Sequence, residues 1–144
     1  MDSNGVETPL RPYFRKPFLL SKPEKYFYNI LREVFGTYTV LAKVRLADFV
    51  DANRRHPNWQ ANFNRIRSTH IDFVICDAWL CPLIAAELDG SSHKCIDRQQ
   101  RDKLVDEILK DASLEIVHVP RQKRYFHKEI RQLLLPKLAS SQLL

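Results

Sequence analysis

Two segments near the middle of the chain alternate hydrophobic and polar residues with the period of two that is typical of β-strands. The first is His70–Cys76 and the second is Leu83–Asp89. Only residues 77–82 separate them, which suits the short connection of an antiparallel hairpin. The pattern therefore predicts two adjacent antiparallel strands at the centre of the fold.

The hairpin brings acidic side chains together. If Asp77 pairs with Pro82 across the turn, Asp72 faces Glu87, because each of these acids lies five residues further from the turn. Like charges opposed on neighbouring strands destabilise a sheet. A divalent cation held by carboxylates is the commonest compensation. We therefore predict a site for Mg²⁺ or Mn²⁺ at Asp72 and Glu87, with Asp89 as a third carboxylate.

Periodicity and end signals predict the remaining elements. They are a helix at Lys22–Phe35, which opens on the capping box Ser21-Lys22-Pro23-Glu24, a strand at Tyr38–Leu46, a helix at Arg98–Lys110, a strand at Leu114–Val119 and a final helix at Tyr125–Leu138. On the first of these strands, Val40, Ala42, Val44 and Leu46 are expected to share one face. From the second hairpin strand onward, the order strand, helix, strand over Leu83–Val119 predicts a right-handed parallel crossover. The expected class is α/β (α+β), a mixed sheet with helices on both faces.

The last two helices carry more specific predictions. Asp97 is expected to be the N-cap of the helix at Arg98–Lys110, and Asp97 and Arg101 are expected to face inward, close to the carboxylates. The final helix is expected to pack through four apolar residues. These are Phe126, Ile130, Leu133 and Leu134.

The segment from Asp48 to Thr69 has two interpretations, and the sequence supports both. Arginines interleaved with aromatic and asparagine side chains suit phosphate contacts and base stacking, through Arg54, Arg55, Trp59, Arg65 and Arg67. Alternatively, Trp59 and Phe63 lie four residues apart and pack a short helix onto the core. A second basic group near the end of the chain is predicted to contact nucleic acid as well. It comprises Arg121, Lys123 and Arg124.

The distribution of charge strengthens the prediction of a polyanionic partner. Residues 1–67 hold 12 basic and 6 acidic side chains, residues 68–115 hold 5 and 10, and residues 116–144 hold 6 and 1. An acidic centre between basic flanks suits a metal site that nucleic acid approaches. Three prolines among two arginines and a lysine predict an extended basic arm at 1–18, and the length of 144 residues predicts a single domain, at 19–144. Three cysteines and the lack of a membrane-length apolar run favour a cytoplasmic protein without membrane contact.

The acidic residues also carry a resemblance to a known superfamily. An acid in one strand followed by Glu-x-Lys in the next resembles the metal-binding signature of the PD-(D/E)XK, or restriction-endonuclease-like, nucleases. The longer string Glu87-Leu88-Asp89-Gly90-Ser91-Ser92-His93, with Asp97-Arg98-x-x-Arg101-Asp102 after it, is similar to the branch of very-short-patch-repair endonucleases, and most similar to a bacterial domain family of unknown function in that branch. The resemblance covers roughly Leu19 to Pro120, and it departs from the signature where Asp89 replaces the lysine.

This resemblance implies a restriction-endonuclease-like sheet and metal-dependent phosphodiester hydrolysis, on DNA rather than RNA. It implies that Asp72 and Glu87 hold the metal, and it adds Glu24 as a further candidate ligand, although the capping box is the favoured explanation of Glu24. Where the lysine is missing, His93 is a candidate for proton transfer. Lys94 and Arg101 are candidates for the positive charge.

Two other functions remain open at this stage. One is a nucleic-acid-binding module of the same fold that has lost catalysis, which the missing lysine favours. The other is a zinc-stabilised domain that uses Cys76, Cys81, His93 and Cys95. Its spacing is unfavourable, because structural zinc sites favour paired ligands two to four residues apart and the second pair here is His-x-Cys.

Overall fold

The computed structural model describes residues 5, 9–90 and 96–142. Four strands form one mixed sheet in the order β1-β2-β3-β4. They are β1 Thr39–Arg45, β2 His70–Cys76, β3 Pro82–Asp89 and β4 Glu115–Pro120. Strands β1 and β2 pair in antiparallel orientation, as do β2 and β3, whereas β3 and β4 pair in parallel. The predicted mixed sheet and the parallel crossover are confirmed.

Helices cover both faces of this sheet. They are α1 Lys22–Val34, α2 Trp59–Arg67, α3 Ile96–Asp111 and α4 His127–Gln142, with a single 3-10 turn at Leu46–Asp48. On one face, α1 and α4 pack against the strands through a cluster that includes Phe27, Phe73 and Leu134. On the other face, α2 and α3 pack through a cluster that includes Ile66, Val74 and Leu109. In the part of the chain that the structure describes, no helix is both long enough and apolar enough to cross a membrane.

The pairing of β2 with β3 determines which residues lie opposite the acids, and the pair predicted at the turn is wrong. Cys76, not Asp77, pairs with Pro82, and the register shifts by one residue at Ile75/Cys76. Beyond this irregularity Phe73 pairs with Ala86, which is the predicted alignment, and Asp72 and Glu87 are the next residues along the two strands. The wrong pair at the turn does not change the rest of the register, because a bulge leaves one extra residue of β3 unpaired beside the turn.

Asp77 holds the turn that produces this alignment. Its Oδ1 accepts hydrogen bonds from the backbone N–H groups of Trp79 at 2.8 Å and Cys81 at 2.9 Å. We expect Asp77→Ala to lower the free energy of unfolding by about 1–2 kcal/mol, since two donors lose their acceptor. Asp77→Asn keeps an acceptor oxygen and should cost less. Urea unfolding of both variants tests this, and an equal loss in both would show that the side-chain charge matters rather than the turn.

The prediction that β1 presents Val40, Ala42, Val44 and Leu46 on one face is also wrong. Val40 and Ala42 pack in the cluster below α1, whereas Val44 and Leu46 pack in the cluster below α3. The strand changes face at Lys43, which has a φ of 56°. A left-handed residue interrupts the alternation, and local hydrophobic periodicity cannot reveal it.

Two helical predictions need correction. Helix α3 begins at Ile96, so Asp97 lies inside its first turn, exposed, and is neither the N-cap nor inward-facing. In the final helical region the buried side chains are Tyr125, Ile130, Leu134 and Leu138, while Phe126 and Leu133 are exposed. Helix α4 begins at His127, so Phe126 precedes it. Ile130, Leu134 and Leu138, spaced by four residues, form the buried stripe.

Candidate functional site

One edge of the sheet collects the acidic side chains. The start of β2 lies beside the end of β3, and β4 runs parallel to β3, so its end reaches the same edge. Five residues lie here, from three strands and from the first half of α3. We call them the acidic edge: Asp72, Glu87, Asp89, Asp102 and His118.

Glu87 is the most buried member of the acidic edge, with 1% of its surface exposed. Arg101 Nη1 donates to its Oε1 at 3.1 Å, and Arg98 Nη2 lies 3.8 Å from its Oε2. Burial and the neighbouring charge of Asp72 nevertheless raise the pKa of Glu87 to about 7. The two arginines therefore offset only part of the cost of a buried charge.

Asp72 is tied to the neighbouring strand. Its Oδ2 accepts a hydrogen bond of 2.9 Å from the backbone N–H of Leu88. The contact holds the Asp72 carboxylate beside Glu87, across the antiparallel pair. The two acids are therefore close enough for the charge of Asp72 to raise the pKa of Glu87, and Glu87 itself faces α3 through its bond to Arg101.

Arg101 connects the acidic edge to helix α3. Its Nη1 also donates to Asp102 at 3.0 Å, and its Nη2 donates to the carbonyl of His70 at 2.6 Å. Burial alone would lower the pKa of Arg101, but the charge of Glu87 and the hydrogen bond to Asp102 raise it. The helical phase predicted an inward-facing Arg101, and this is confirmed.

His118 of β4 contacts an aspartate of β3 and an aspartate of α3. Its Nδ1 lies 3.3 Å from Asp89 Oδ1 on β3, and its Nε2 lies 2.9 Å from Asp106 Oδ1 on α3. Burial alone would lower the pKa of His118, but the hydrogen bond to Asp106 and the charge of Asp89 raise it. In the parallel register His118 is the partner of Glu87, which explains its place at this edge.

Three residues in the described part of the chain meet the spacing of a metal site. Asp89, Asp102 and His118 each offer one ligand atom, and these atoms all lie within 4.8 Å of one another. Two carboxylates and an imidazole suit Mn²⁺ better than Mg²⁺, which prefers oxygen ligands. Of the predicted ligands only Asp89 belongs to this group, which does not include Asp72 or Glu87, and neither Asp102 nor His118 was predicted as a ligand. Asp102 stands in the string that carried the resemblance, and the alternation of β4 would have placed His118 on the same face as Ile116.

Basic side chains flank this edge after β4. The Arg121 backbone N–H donates to the Asp89 carbonyl at 2.8 Å. A Cβ built on Gly90 would lie 3.3 Å from Arg121 Cζ, so the guanidinium covers the backbone at the end of β3. Lys123 and Arg124 follow in the exposed loop before α4. This predicted basic group therefore lies next to the acids.

The other predicted basic group is spread along α2. Arg65 and Arg67 are exposed in the last turn of this helix, which leads into β2 and so toward the acidic edge. Arg54 and Arg55 precede the first turn of the helix, which is about 13 Å long by the rise of its nine residues. Arg54 packs over the Trp59 ring, with 5.4 Å from Cζ to the centroid. Trp59 stacks on Phe63, and Phe63 and Ile66 pack against the cluster below α3, so the packing of this helix on the core is confirmed through these two residues.

Glu24 is engaged at the start of α1. It forms both halves of the capping box with Ser21, and its Oε2 lies 2.7 Å from Lys43 Nζ. Burial alone would raise the pKa of Glu24, but the bonds to Lys43 and Ser21 lower it. These contacts account for Glu24 without a metal.

Two candidates of the sequence prediction, His93 and Lys94, lie outside the described residues. So does Cys95 of the zinc alternative. Cys76 is buried and Cys81 exposed, and both are free thiols.

Comparisons with known proteins identify the chain at family level. No curated protein and no solved structure matches it. A family model described as "Protein of unknown function (DUF2726)" matches residues 16–138. This range contains every strand and the whole acidic edge. The chain is a member of the DUF2726 family.

Proposed function

We propose that this protein is a metal-dependent phosphodiesterase that acts on nucleic acid, DNA in preference to RNA, with the restriction-endonuclease-like fold that its sequence resembles. One observation carries the proposal. Asp72 and Glu87 lie close together on neighbouring antiparallel strands, near the end of the sheet where Asp89, Asp102 and His118 also converge. Placing so many acids together costs stability, and a bound divalent cation is the simplest compensation.

The donor chemistry of the acidic edge fits such a cation. Asp89, Asp102 and His118 would hold it, with Asp72 and Glu87 beside them. A metal bound there would supply activation of a water and stabilisation of the leaving oxygen. Burial and Asp72 raise the pKa of Glu87 to about 7, and a cation beside it would favour its charged form.

Arg101 is the best candidate for the positive charge that the lysine of the signature would provide. Its guanidinium bonds to Glu87 and Asp102, within the acidic edge. It orients Glu87 and brings a permanent charge to the place where a phosphate would bind. Arg121, which covers Gly90, adds a second charge beside Asp89. Both are suited to phosphate oxygens.

A nucleic-acid-binding module without catalysis is the second candidate, and one observation favours it. Both oxygens of Glu87 face arginines, since Arg101 and Arg98 approach Oε1 and Oε2 respectively. In this arrangement the ion pairs replace a metal as the compensation for burial. Asp89, in place of the lysine, points the same way.

Cleavage by a neutralised variant separates the two candidates. With Mn²⁺ or Mg²⁺ we expect the wild type to cut labelled DNA, and we expect Asp72→Asn to bind DNA but to cut at least about a hundredfold more slowly, because the metal loses a neighbouring carboxylate. Asn retains an acceptor for the Leu88 N–H, so the fold should persist. Circular dichroism and DNA binding of the same variant check this.

Glu107→Gln is a matched control, because Glu107 is an exposed acid on the same helix as Asp102. It should cut like the wild type. DNA binding with no cleavage by the wild type under any divalent metal supports the inactive module. Absence of both metal binding, measured by calorimetry, and DNA binding would refute both candidates.

A further inference from the structure

We propose that residues 9–20, which we call the N-terminal arm, bind a single-stranded segment of nucleic acid and lead it to the acidic edge. This inference rests on the proposed function and names the form of its substrate. The arm precedes α1 and contains no acidic residue. The arm is a different segment of the chain from the acids, from α2 and from the loop after β4.

The arm exposes large apolar side chains of a kind that is usually buried in a folded protein. Five of them are between 72% and 99% exposed: Leu10, Tyr13, Phe14, Phe18 and Leu19. Three are aromatic, and three cations alternate with them: Arg11, Arg15 and Lys16. Contiguous exposed apolar groups mark interaction sites. Rings interleaved with cations match a partner that has both π-faces and negative charges.

Three prolines, at positions 9, 12 and 17, restrict the backbone of the arm. Each fixes its own φ and biases the preceding residue toward extended conformations. The arm therefore loses less conformational entropy on binding than a flexible segment of the same length. An extended arm also matches the shape of an extended strand.

The position of the arm directs its partner toward the acidic edge. It joins α1 at Ser21, and the Glu24–Lys43 contact holds this start of α1 beside the end of β1. Pro17–Leu20 line a groove with Tyr28 of α1 and Leu41 of β1. Strand β1 is at the edge of the sheet and pairs with β2, the strand that carries Asp72. Lys43 lies between the pairs Ala42–Phe73 and Val44–Ile71, level with Asp72, so the start of α1 is near the end of the sheet that holds the acids. The groove is on the α1 side of the sheet and Glu87 faces α3, so a bound strand would reach the acids by passing over the outer strand β1.

Among possible partners, single-stranded nucleic acid fits best. In a duplex the base faces are stacked inside, so the exposed rings would have nothing to stack on, whereas unpaired bases stack on aromatic side chains and their phosphates bind the cations. A second copy of this chain would bring three more cations against the three already present. A single strand satisfies both the rings and the charges.

Oligonucleotide binding tests the inference. The probes are a labelled 12-nucleotide single strand and the duplex of the same sequence, and all proteins carry Asp72→Asn so that cleavage does not interfere. We expect Tyr13→Ala/Phe14→Ala/Phe18→Ala to weaken single-strand binding at least about tenfold, because each stacked base depends on its ring, and to change duplex binding little. Arg11→Gln/Arg15→Gln/Lys16→Gln should reduce the salt slope by roughly 2.

Trp79→Ala is the matched control. Trp79 is 88% exposed at the hairpin, at the end of the sheet opposite the acids, and its removal should leave binding unchanged. The inference is overturned if the triple aromatic variant binds the single strand like the parent, or if it loses single strand and duplex equally. It is also overturned if the arm controls dimerisation in light scattering, or binding to anionic vesicles, without affecting the oligonucleotide.

The outcomes separate this inference from the proposed function. Cleavage by the wild-type acidic edge together with arm-independent binding removes the arm proposal and leaves the phosphodiesterase. Arm-dependent binding of the single strand with no cleavage under any divalent metal supports the arm and removes catalysis.

Discussion

Glu87→Gln is expected to raise the free energy of unfolding at about pH 8 by about 3 kcal/mol, with chelator present, and to change it little near pH 5. The raised pKa of Glu87, about 7 against 4.5 for an ordinary glutamate, is the reason. Each unit of pKa difference corresponds to about 1.4 kcal/mol. Glutamine resembles the protonated carboxyl, and its amide oxygen can still accept the hydrogen bond from Arg101.

The sign follows from proton linkage. Between the unfolded pKa and the raised folded pKa, the folded protein binds more protons at Glu87 than the unfolded chain does, so stability falls as pH rises through this window. Above about pH 7 the full cost is present, and below about pH 4.5 it is gone. Glutamine cannot titrate and removes this part of the pH dependence.

Chemical denaturation at a series of pH values measures the effect. His118 also has a raised pKa, and its contribution is lost as pH rises through that value, so the wild-type profile contains both groups. Subtracting the Glu87→Gln profile isolates Glu87. If the free energy of unfolding of the variant lies below that of the wild type by the same amount at every pH, the carboxyl of Glu87 stabilises the fold. That result would contradict a destabilising charge at Glu87.

Arg101→Gln is expected to lower the free energy of unfolding at about pH 8 by about 3 kcal/mol, and by less near pH 5. The substitution removes contacts to Glu87, Asp102 and the His70 carbonyl and leaves a buried carboxylate without its main partner. At low pH Glu87 takes up a proton and needs no counter-charge. The loss should therefore grow with pH.

A double-mutant cycle attributes this loss. In the Glu87→Gln background, Arg101→Gln should cost clearly less at about pH 8, because no buried charge is left unpaired. Lys103→Gln, an exposed residue on the same helix, is the control and should stay within about 0.5 kcal/mol of the wild type. An equal cost of Arg101→Gln in both backgrounds would mean that its role is packing.

Together these expectations describe an edge where function and stability oppose each other. Neutralising Glu87 should produce a more stable protein at about pH 8, while neutralising Asp72 should abolish cleavage. Acids assembled for folding alone would not show this opposition, since the fold gains nothing from the repulsion of Asp72 and Glu87.

The sequence by itself determined the features that depend on neighbouring residues. Alternation located β2 and β3, the Ser21–Glu24 capping box located the start of α1, and the short hairpin set the opposition of Asp72 and Glu87. These features are local because a strand alternates over a few residues and a cap joins groups three residues apart. The resemblance to a domain family of unknown function also agrees with the family match.

Tertiary structure decided what depends on long-range register and on backbone conformation. The left-handed Lys43 divides β1 between two clusters, and no hydrophobic pattern encodes that φ value. Asp102 and His118 join Asp89 only because α3 packs across the sheet and β4 aligns His118 with Glu87. That alignment depends on the packing of the whole crossover from β3 to β4. Spacing along the chain therefore predicted two opposed acids, and only the assembled sheet completed the acidic edge.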